Sequence, residues 1–332
     1  MRKFVAGLVV CALFAGLVVC DAAEKFKASK RYRIAVIPKG TTHEFWKSVH
    51  AGAVKAGREL GVDIHWKGPL KEDDREAQIK VVEDFITRDV DGIVLAPLDD
   101  KALRIPVRNA VRAGIPVVII DSDLQSNRHV SFVATDNRQG GKLGGKHLVK
   151  LLGGKGKVIM LRYQQGSAST ANRERGFMDA VETADNIEVA SAKQYGGATR
   201  ESAMKASESL LARYKKGDGL AIDGIFCPNE STTFGMLRAL QDSKFAGKVK
   251  FVGFDASVKL VAALRTGEID ALVVQNPMRM GYLGVRTMVE HLEKKKVKKR
   301  VDTGVAVVTR ENMDTPEMKE LLSPDLDKWL KN

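Results

Sequence analysis

The stretch that decides the fold is Arg33-Ile34-Ala35-Val36-Ile37-Pro38-Lys39-Gly40-Thr41-Thr42-His43-Glu44-Phe45-Trp46. Its unbroken apolar run, closed by Pro38, reads as a strand buried on both faces, and the helical period that starts at Glu44 follows after a short loop. Strand, loop and helix in that order are the first unit of a parallel sheet. Phe45 and Trp46 stand side by side where the helix begins. Two large adjacent aromatics cannot both turn inward from one helical turn, so the pair is expected on a ligand.

The same unit recurs outward from this stretch. Strands over 62–66, 92–96 and 116–120 alternate with helices over 44–60, 72–88 and 102–113. After Asp136 the rhythm resumes, with helices over 138–152, 172–183, 200–214, 231–242 and 257–266 and strands over 157–162, 188–193, 224–227, 250–254 and 271–275. Such alternation predicts an α/β fold of two doubly wound parallel-sheet lobes. A last helix over 278–295 and a strand over 305–308 come after the second sheet is complete, so at least one of them should return to the first lobe, giving a hinge of several crossings. The expected boundaries are 32–135 with 277–303 for the first lobe, and 136–276 with 304–332 for the second.

Ligands of parallel-sheet domains lie beyond the carboxyl ends of the strands. Read in order, those ends carry residues 39–46, Ala96-Pro97-Leu98-Asp99, Asp121-Ser122-Asp123, residues 163–175 and 195–200, Pro228-Asn229-Glu230, Asp255-Ala256 and Gln275-Asn276. They are rich in carboxylates, amides, arginine and aromatics. A sugar needs this chemistry, because each hydroxyl both donates and accepts while the apolar ring face stacks on an aromatic.

Composition narrows the classes. Residues 1–23 read as a secretory signal, with Arg2 and Lys3 before an apolar run and Asp21-Ala22-Ala23 as its small-residue exit. The run is shorter than the roughly 20 apolar residues a membrane span takes. Leu17-Val18-Val19-Cys20 resembles a bacterial lipobox, which would anchor the exported chain through Cys20, although Val19 stands where a small residue is usual. Beyond the signal Cys227 is the one remaining cysteine, so no internal disulfide is possible and the thiol is expected to be inert packing. The formal net charge is +13, but the charges are dispersed with acids between them, as in Glu72-Asp73-Asp74-Arg75-Glu76, and no nucleic-acid-binding pattern is present. The one dense basic run, Lys294-Lys295-Lys296-Val297-Lys298-Lys299-Arg300, reads as a solvated turn or a partner contact.

No catalytic constellation emerges, and neither a cofactor nor a metal is expected: His43-Glu44 lacks the second histidine of a zinc helix, there is no nucleophile elbow, and Cys227 has no base. Gly140-Gly141-Lys142-Leu143-Gly144-Gly145-Lys146-His147 nearly spells a phosphate loop, but a histidine replaces the magnesium-binding hydroxyl and the glycines fall inside a helical period. Helix packing explains them better. Asn229-Glu230-Ser231 matches a glycosylation sequon, yet Asn229 belongs to the cleft.

Taken in order, Phe45-Trp46, residues 116–121, Ala134-Thr135-Asp136-Asn137, residues 171–177, residues 226–230 and Val252-Gly253-Phe254-Asp255 give a chain that resembles a type I periplasmic substrate-binding protein of the ribose and galactose group, the receptor of an ABC importer. The resemblance implies two jaws closing on a monosaccharide, a periplasmic monomer, and a membrane permease as partner, or else a chemoreceptor or sensor kinase. It implies that Phe45 and Trp46 flank the sugar ring and that Asp121, Arg175, Asn229, Asp255 and Gln275 bond its hydroxyls. His43 stands where ribose binders carry an asparagine; Ala96, Ser122 and Ala198 also depart from the ribose pattern, which leaves the sugar open. A neighbouring branch that binds a furanosyl quorum signal resembles the chain at Ile37-Pro38-Lys39 and Asp121-Ser122-Asp123, which adds Lys39 as a candidate. Glu230, on the hinge-side loop, is a further one.

Overall fold

The computed structural model describes residues 26–331; the signal expected over 1–23 and Cys20 lie outside them. The first lobe opens with β1 (Arg33–Ile37), α1 (Glu44–Leu60), β2 (Asp63–Trp66), α2 (Arg75–Thr87), β3 (Gly92–Leu95), α3 (Arg104–Arg112), β4 (Val117–Ile120) and β5 (Ser131–Ala134). The chain then crosses to a second lobe of α4 (Asn137–Leu151), β6 (Lys155–Met160), α5 (Ala168–Val181), β7 (Asn186–Ser191), α6 (Arg200–Ala212), a small hairpin of β8 (Lys215–Lys216) and β9 (Gly219–Leu220), β10 (Gly224–Phe226), α7 (Glu230–Asp242), β11 (Lys250–Phe254), α8 (Val258–Thr266) and β12 (Ala271–Gln275). The remainder is α9 (Pro277–Leu292), β13 (Arg300–Asp302), β14 (Val305–Val308), α10 (Pro316–Leu322) and α11 (Asp327–Leu330).

The two large sheets run β13-β5-β4-β3-β1-β2 and β14-β12-β11-β10-β6-β7. All their pairings are parallel except β14 against β12. Alternation along the strands sends side chains to both faces. Ile34 and Val36 pack under α1 and α9, while Ala35 and Ile37 pack under α2 and α3. In the second sheet Val252 and Phe254 face one cluster and Phe251 the other. Both sheets are therefore covered on both sides, as the continuous apolar strands require.

Of the last elements, α9 and β13 return to the first lobe and β14 joins the second sheet, so the chain crosses between lobes three times before its carboxyl-terminal tail. Thr135 and Thr303 meet at the crossings, with hydroxyls 3.2 Å apart. The tail departs in part from the expected boundary. Met318 and Leu322 of α10 do join the second lobe's core, but α11 packs on α1 of the first, where Arg58 donates to the carbonyls of Lys328 and Trp329. The ring of Trp329 also lies beneath the cations of Lys55 and Arg58.

The near-phosphate-loop glycines are packing residues. A Cβ on Gly141 of α4 would stand 1.9 Å from the Arg173 carbonyl oxygen of α5, and one on Gly176 of α5 would stand 2.0 Å from the Arg138 carbonyl oxygen of α4. The backbones touch only because both positions lack a side chain. Gly52 of α1 and Gly281 of α9 repeat the arrangement in the first lobe.

Candidate ligand-binding site

The carboxyl ends of both sheets face each other across a cleft, and the loops there hold a cavity lined by Lys39, His43, Phe45, Trp46, Asp121, Asn229, Glu230, Asp255 and Gln275, together with Glu72, Tyr163, Ser169, Thr170 and Arg173. The first nine were among the ten candidates of the sequence; the other five were not. The tenth candidate, Arg175, lies outside. It is exposed and donates to Asn172 Oδ1 at 2.6 Å. The correction follows from helical geometry, since residues two apart in α5 point to opposite sides. Arg173 shares the buried face with Gly176, Phe177 and Ala180, and it is Arg173 that reaches the cleft.

Two aspartates anchor the site in matching places. Asp121 ends β4 and Asp255 ends β11, which occupy the same position in the order of their sheets. Both adopt left-handed backbone, with φ of 61° and 67°. Aspartate is among the few side chains that tolerate this conformation, and strain of this kind is typical of functional loops. It turns each carboxylate away from the strand and into the cleft.

Every carboxylate of the cleft has a cation. Lys39 Nζ stands 2.6 Å from Asp121 Oδ2 and donates to Ser169 Oγ of the second lobe at 3.0 Å. His43 Nδ1 stands 2.6 Å from Glu72 Oε1. Arg200 bonds Glu230. Arg173 lies 3.6 Å from Asp255, stacks its guanidinium 4.1 Å over Phe254, and donates to Asn137 Oδ1 and the Pro228 carbonyl.

These pairs set the protonation states. Burial alone would lower the His43 imidazole, but the charge and hydrogen bond of Glu72, with the charge of Glu230, hold it at about 9. Glu72 is the mirror case: burial pushes its carboxyl up, yet His43, Lys39 and the Tyr163 hydroxyl draw it down to about 2. Asp255 is different. Burial lifts it to about 6 against the pull of Arg173 and the Gln275 amide, with the charges of Glu230 and Asp121 adding to the rise. Cys227 is buried and burial drives its thiol well up, which leaves it unreactive.

Glu72 organises one wall. It accepts from the Trp46 indole nitrogen at 2.7 Å and from the Tyr163 hydroxyl of the second lobe at 2.6 Å, besides pairing with His43. That fixes the Trp46 ring, which meets Phe45 edge to face at 4.9 Å. Both aromatics are buried and belong to the core of the first lobe as well as to the cleft wall, contrary to the expectation that they could not both turn inward. Asn229 lines the cleft, but its side-chain Oδ1 caps α7, accepting from the Thr232 amide at 3.3 Å. Among the described residues no group of acids, histidines and cysteines is arranged to hold a metal, and no helix is long and apolar enough to cross a membrane.

Residues 34–296 match the periplasmic binding protein domain family. A ribose import binding protein of Haemophilus influenzae is 29% identical over 309 residues, 93% of this chain and 100% of that protein. The D-allose-binding periplasmic protein of Escherichia coli is 28% identical over 264 residues, 77% of this chain and 83% of that protein. Among solved structures, an ABC transporter solute-binding protein of Agrobacterium vitis with bound D-fucose superposes with a TM-score of 0.82 at 37% identity, over 87% of this chain and 99% of that one. A carbohydrate transporter solute-binding protein of Agrobacterium radiobacter in complex with D-arabinose gives 0.84 at 32%, over 89% of this chain and 100% of that one. These relatives are binding proteins of transport and not enzymes, and their two-lobed architecture is the one described above. The chain thus belongs to the periplasmic binding protein domain family, with the type I fold.

Proposed function

We propose that this protein is the extracytoplasmic receptor of an ABC importer and that it closes its two lobes on one neutral monosaccharide. The observation that carries the reading is the charge balance of the cleft. Its four carboxylates Asp121, Glu72, Glu230 and Asp255 are matched by Lys39, His43, Arg200 and Arg173. A charged ligand would bring an uncompensated charge into a buried site, at a cost of several kcal/mol, on the order of the penalty for burying a lone ion. A neutral polyol brings none.

Hydrogen-bonding capacity is left over for it. Gln275 Oε1 is buried without a hydrogen-bond partner, and Asp121 Oδ2 meets only the Lys39 ammonium. Sugar hydroxyls are the donors such oxygens need. In this reading Asp121, Asp255 and Gln275 accept from hydroxyls, Lys39, His43 and Arg173 donate to them, Asn229 and Glu230 border the ring from the second lobe, and Phe45 and Trp46 flank its apolar face. Arg173 takes the part first given to Arg175.

The lobes as placed leave about 30 Å³ open in the cavity, room for a few waters and not for a sugar ring. A sugar therefore enters a parted cleft, and closure follows, since ligand that touches both lobes binds the closed form better and shifts the population toward it. The named relatives bind pentoses and hexoses, which favours that class over the furanosyl signal. The departures at His43, Ala96, Ser122 and Ala198 point away from ribose itself.

A thermal-shift screen of the exported protein against pentoses, hexoses, 6-deoxyhexoses and polyols tests this. Ligand at 100 times its dissociation constant stabilises by about 2.7 kcal/mol, so one sugar or a related pair should raise Tm by several degrees, with compaction in solution scattering. If charged solutes alone raise Tm, the neutral-sugar reading fails.

A further inference from the structure

We propose that the pole of the first lobe opposite the cleft is a docking surface for anionic phospholipid. The basic run left unexplained by ligand binding lies there. Because α9 starts at the cleft and β13 runs parallel to β5, the connection 293–299 is at the far end of the lobe. Lys294, Lys295, Lys296, Lys298 and Lys299 are all exposed, and Lys27 at the start of the described chain is exposed as well. Ion pairs at this pole use other residues, Lys30 with Asp91, Arg31 with Asp63 and Arg286 with Glu290, and among the described residues none engages these lysines. The adjacent carboxylate, Glu293, is occupied by the amide and hydroxyl of Ser29, each 2.7 Å away.

The second observation is where the chain enters the folded body. Phe26, the first described residue, lies beneath Lys295, whose ammonium is 3.3 Å from the ring centroid, and Ser29 is tied to Glu293. The chain therefore enters the folded body in the middle of the lysine cluster, six residues after Cys20 of the lipobox-like Leu17-Val18-Val19-Cys20. An anchor there would hold this pole against the membrane, and clusters of four to eight lysines or arginines beside an anchor are the pattern that anionic headgroups attract. One anchoring signal holds a protein only marginally, and a polybasic patch is the usual second. Seated on this pole, the protein keeps its cleft clear of the bilayer for ligand to enter, and its search for a permease is confined to the membrane surface. The proposal is independent of which sugar is bound and rests on the chain being exported and anchored through Cys20.

The test is co-sedimentation of the protein purified from the envelope of cells expressing the full chain, with vesicles of phosphatidylglycerol and phosphatidylethanolamine against vesicles of phosphatidylcholine. At low salt the protein should partition onto the anionic vesicles well above the neutral ones, and about 0.5 M salt should remove the difference by screening. The triple variant K294Q, K296Q, K298Q, which leaves the Lys295–Phe26 contact in place, should lower partitioning by roughly 100-fold, taking about fivefold per lysine, with an unchanged Tm and unchanged ligand-induced shift. Equal partitioning onto neutral and anionic vesicles would show an anchor acting alone, and undiminished binding by the triple variant would place the contact elsewhere; either overturns the proposal. Full competition by soluble glycerophosphate at matched phosphate would replace the surface with a discrete anion pocket and would also overturn it.

Discussion

Replacing Arg173 by methionine should be the most damaging single change in the cleft, and replacing Arg175 by alanine should do almost nothing. Methionine preserves much of the volume over Phe254 and removes the charge. What remains behind is Asp255, wholly buried and already lifted to about 6 with Arg173 in place, while Asn137 Oδ1 and the Pro228 carbonyl lose the donors that stand 2.8 and 3.0 Å away. Removing one partner of a buried ion pair costs about 3–5 kcal/mol, offset in part because Asp255 can take up a proton. Ligand affinity should fall by about 2–4 kcal/mol, roughly 30- to 1000-fold, since a protonated Asp255 is a poorer acceptor for hydroxyls. Arg175→Ala touches an exposed guanidinium whose one hydrogen bond is to Asn172 three residues back, and should stay within about 0.5 kcal/mol. Chemical denaturation measures the first quantity and titration calorimetry with the screened sugar the second. If Arg175→Ala lost affinity as severely as Arg173→Met, the assignment of the buried helix face would be wrong.

Trp46→Ala should weaken ligand binding by about 2–4 kcal/mol in calorimetry, and a loss of stability with unchanged affinity would make the ring a core residue only. For His43 the folded-state value of about 9 lies above the ordinary 6.5, so its contribution is complete below about pH 6.5 and is lost as pH rises through about 9. Glu72, at about 2 against 4.5, contributes above about pH 4.5 and loses that contribution as pH falls through about 2. Tm should therefore decline from about pH 6.5 to 9.5, and the decline should flatten in His43→Asn; an identical slope in the variant would show that other groups set it. Ligand affinity should weaken on acidification through about pH 6 as Asp255 is protonated, a trend that calorimetry between pH 5 and 8 would show or refute. Gly141→Ala, which would place a Cβ 1.9 Å from the Arg173 carbonyl oxygen, should destabilise by about 1–3 kcal/mol, and an unchanged Tm would mean that α4 and α5 can part freely.

Which parts could be read from the sequence follows from how local each signal is. Apolar strands such as Val117–Ile120, buried on both faces, announce themselves without context. Arg300-Val301-Asp302 does not, because β13 is an edge strand with one apolar residue and is held largely by its pairing with Phe132, Val133 and Ala134. Residues on the loops directly after strands were legible because parallel topology brings them to one place. Glu72 and Tyr163 were harder. Glu72 precedes α2 in an acidic stretch that looks solvated, and only the approach of His43, Trp46 and Tyr163 makes it a buried hub. Arg173 was within reach, since the spacing to Phe177 and Ala180 already marks its face as buried.

The two lobes are held together by groups that each lends to the other. At the start of α1, His43 supplies no side-chain cap, and the Phe45 amide instead donates to Glu230 Oε2 of the second lobe at 3.3 Å. At the start of α8, the Val258 amide donates to Glu44 Oε2 of the first lobe at 2.9 Å. A carboxylate at a helix amino terminus is favoured by the dipole as well as by the hydrogen bond. Yet both helix ends would meet water if the lobes parted, so each exchange is worth a net of about 0.5–1.5 kcal/mol. On the proposed closure, ties of this modest strength leave a parted form within reach, and a sugar that touches both lobes adds its weight to the closed side. Larger apolar contact would hold the lobes together without ligand, and on the proposed reading the polar character of the ties is what lets the cleft respond to one.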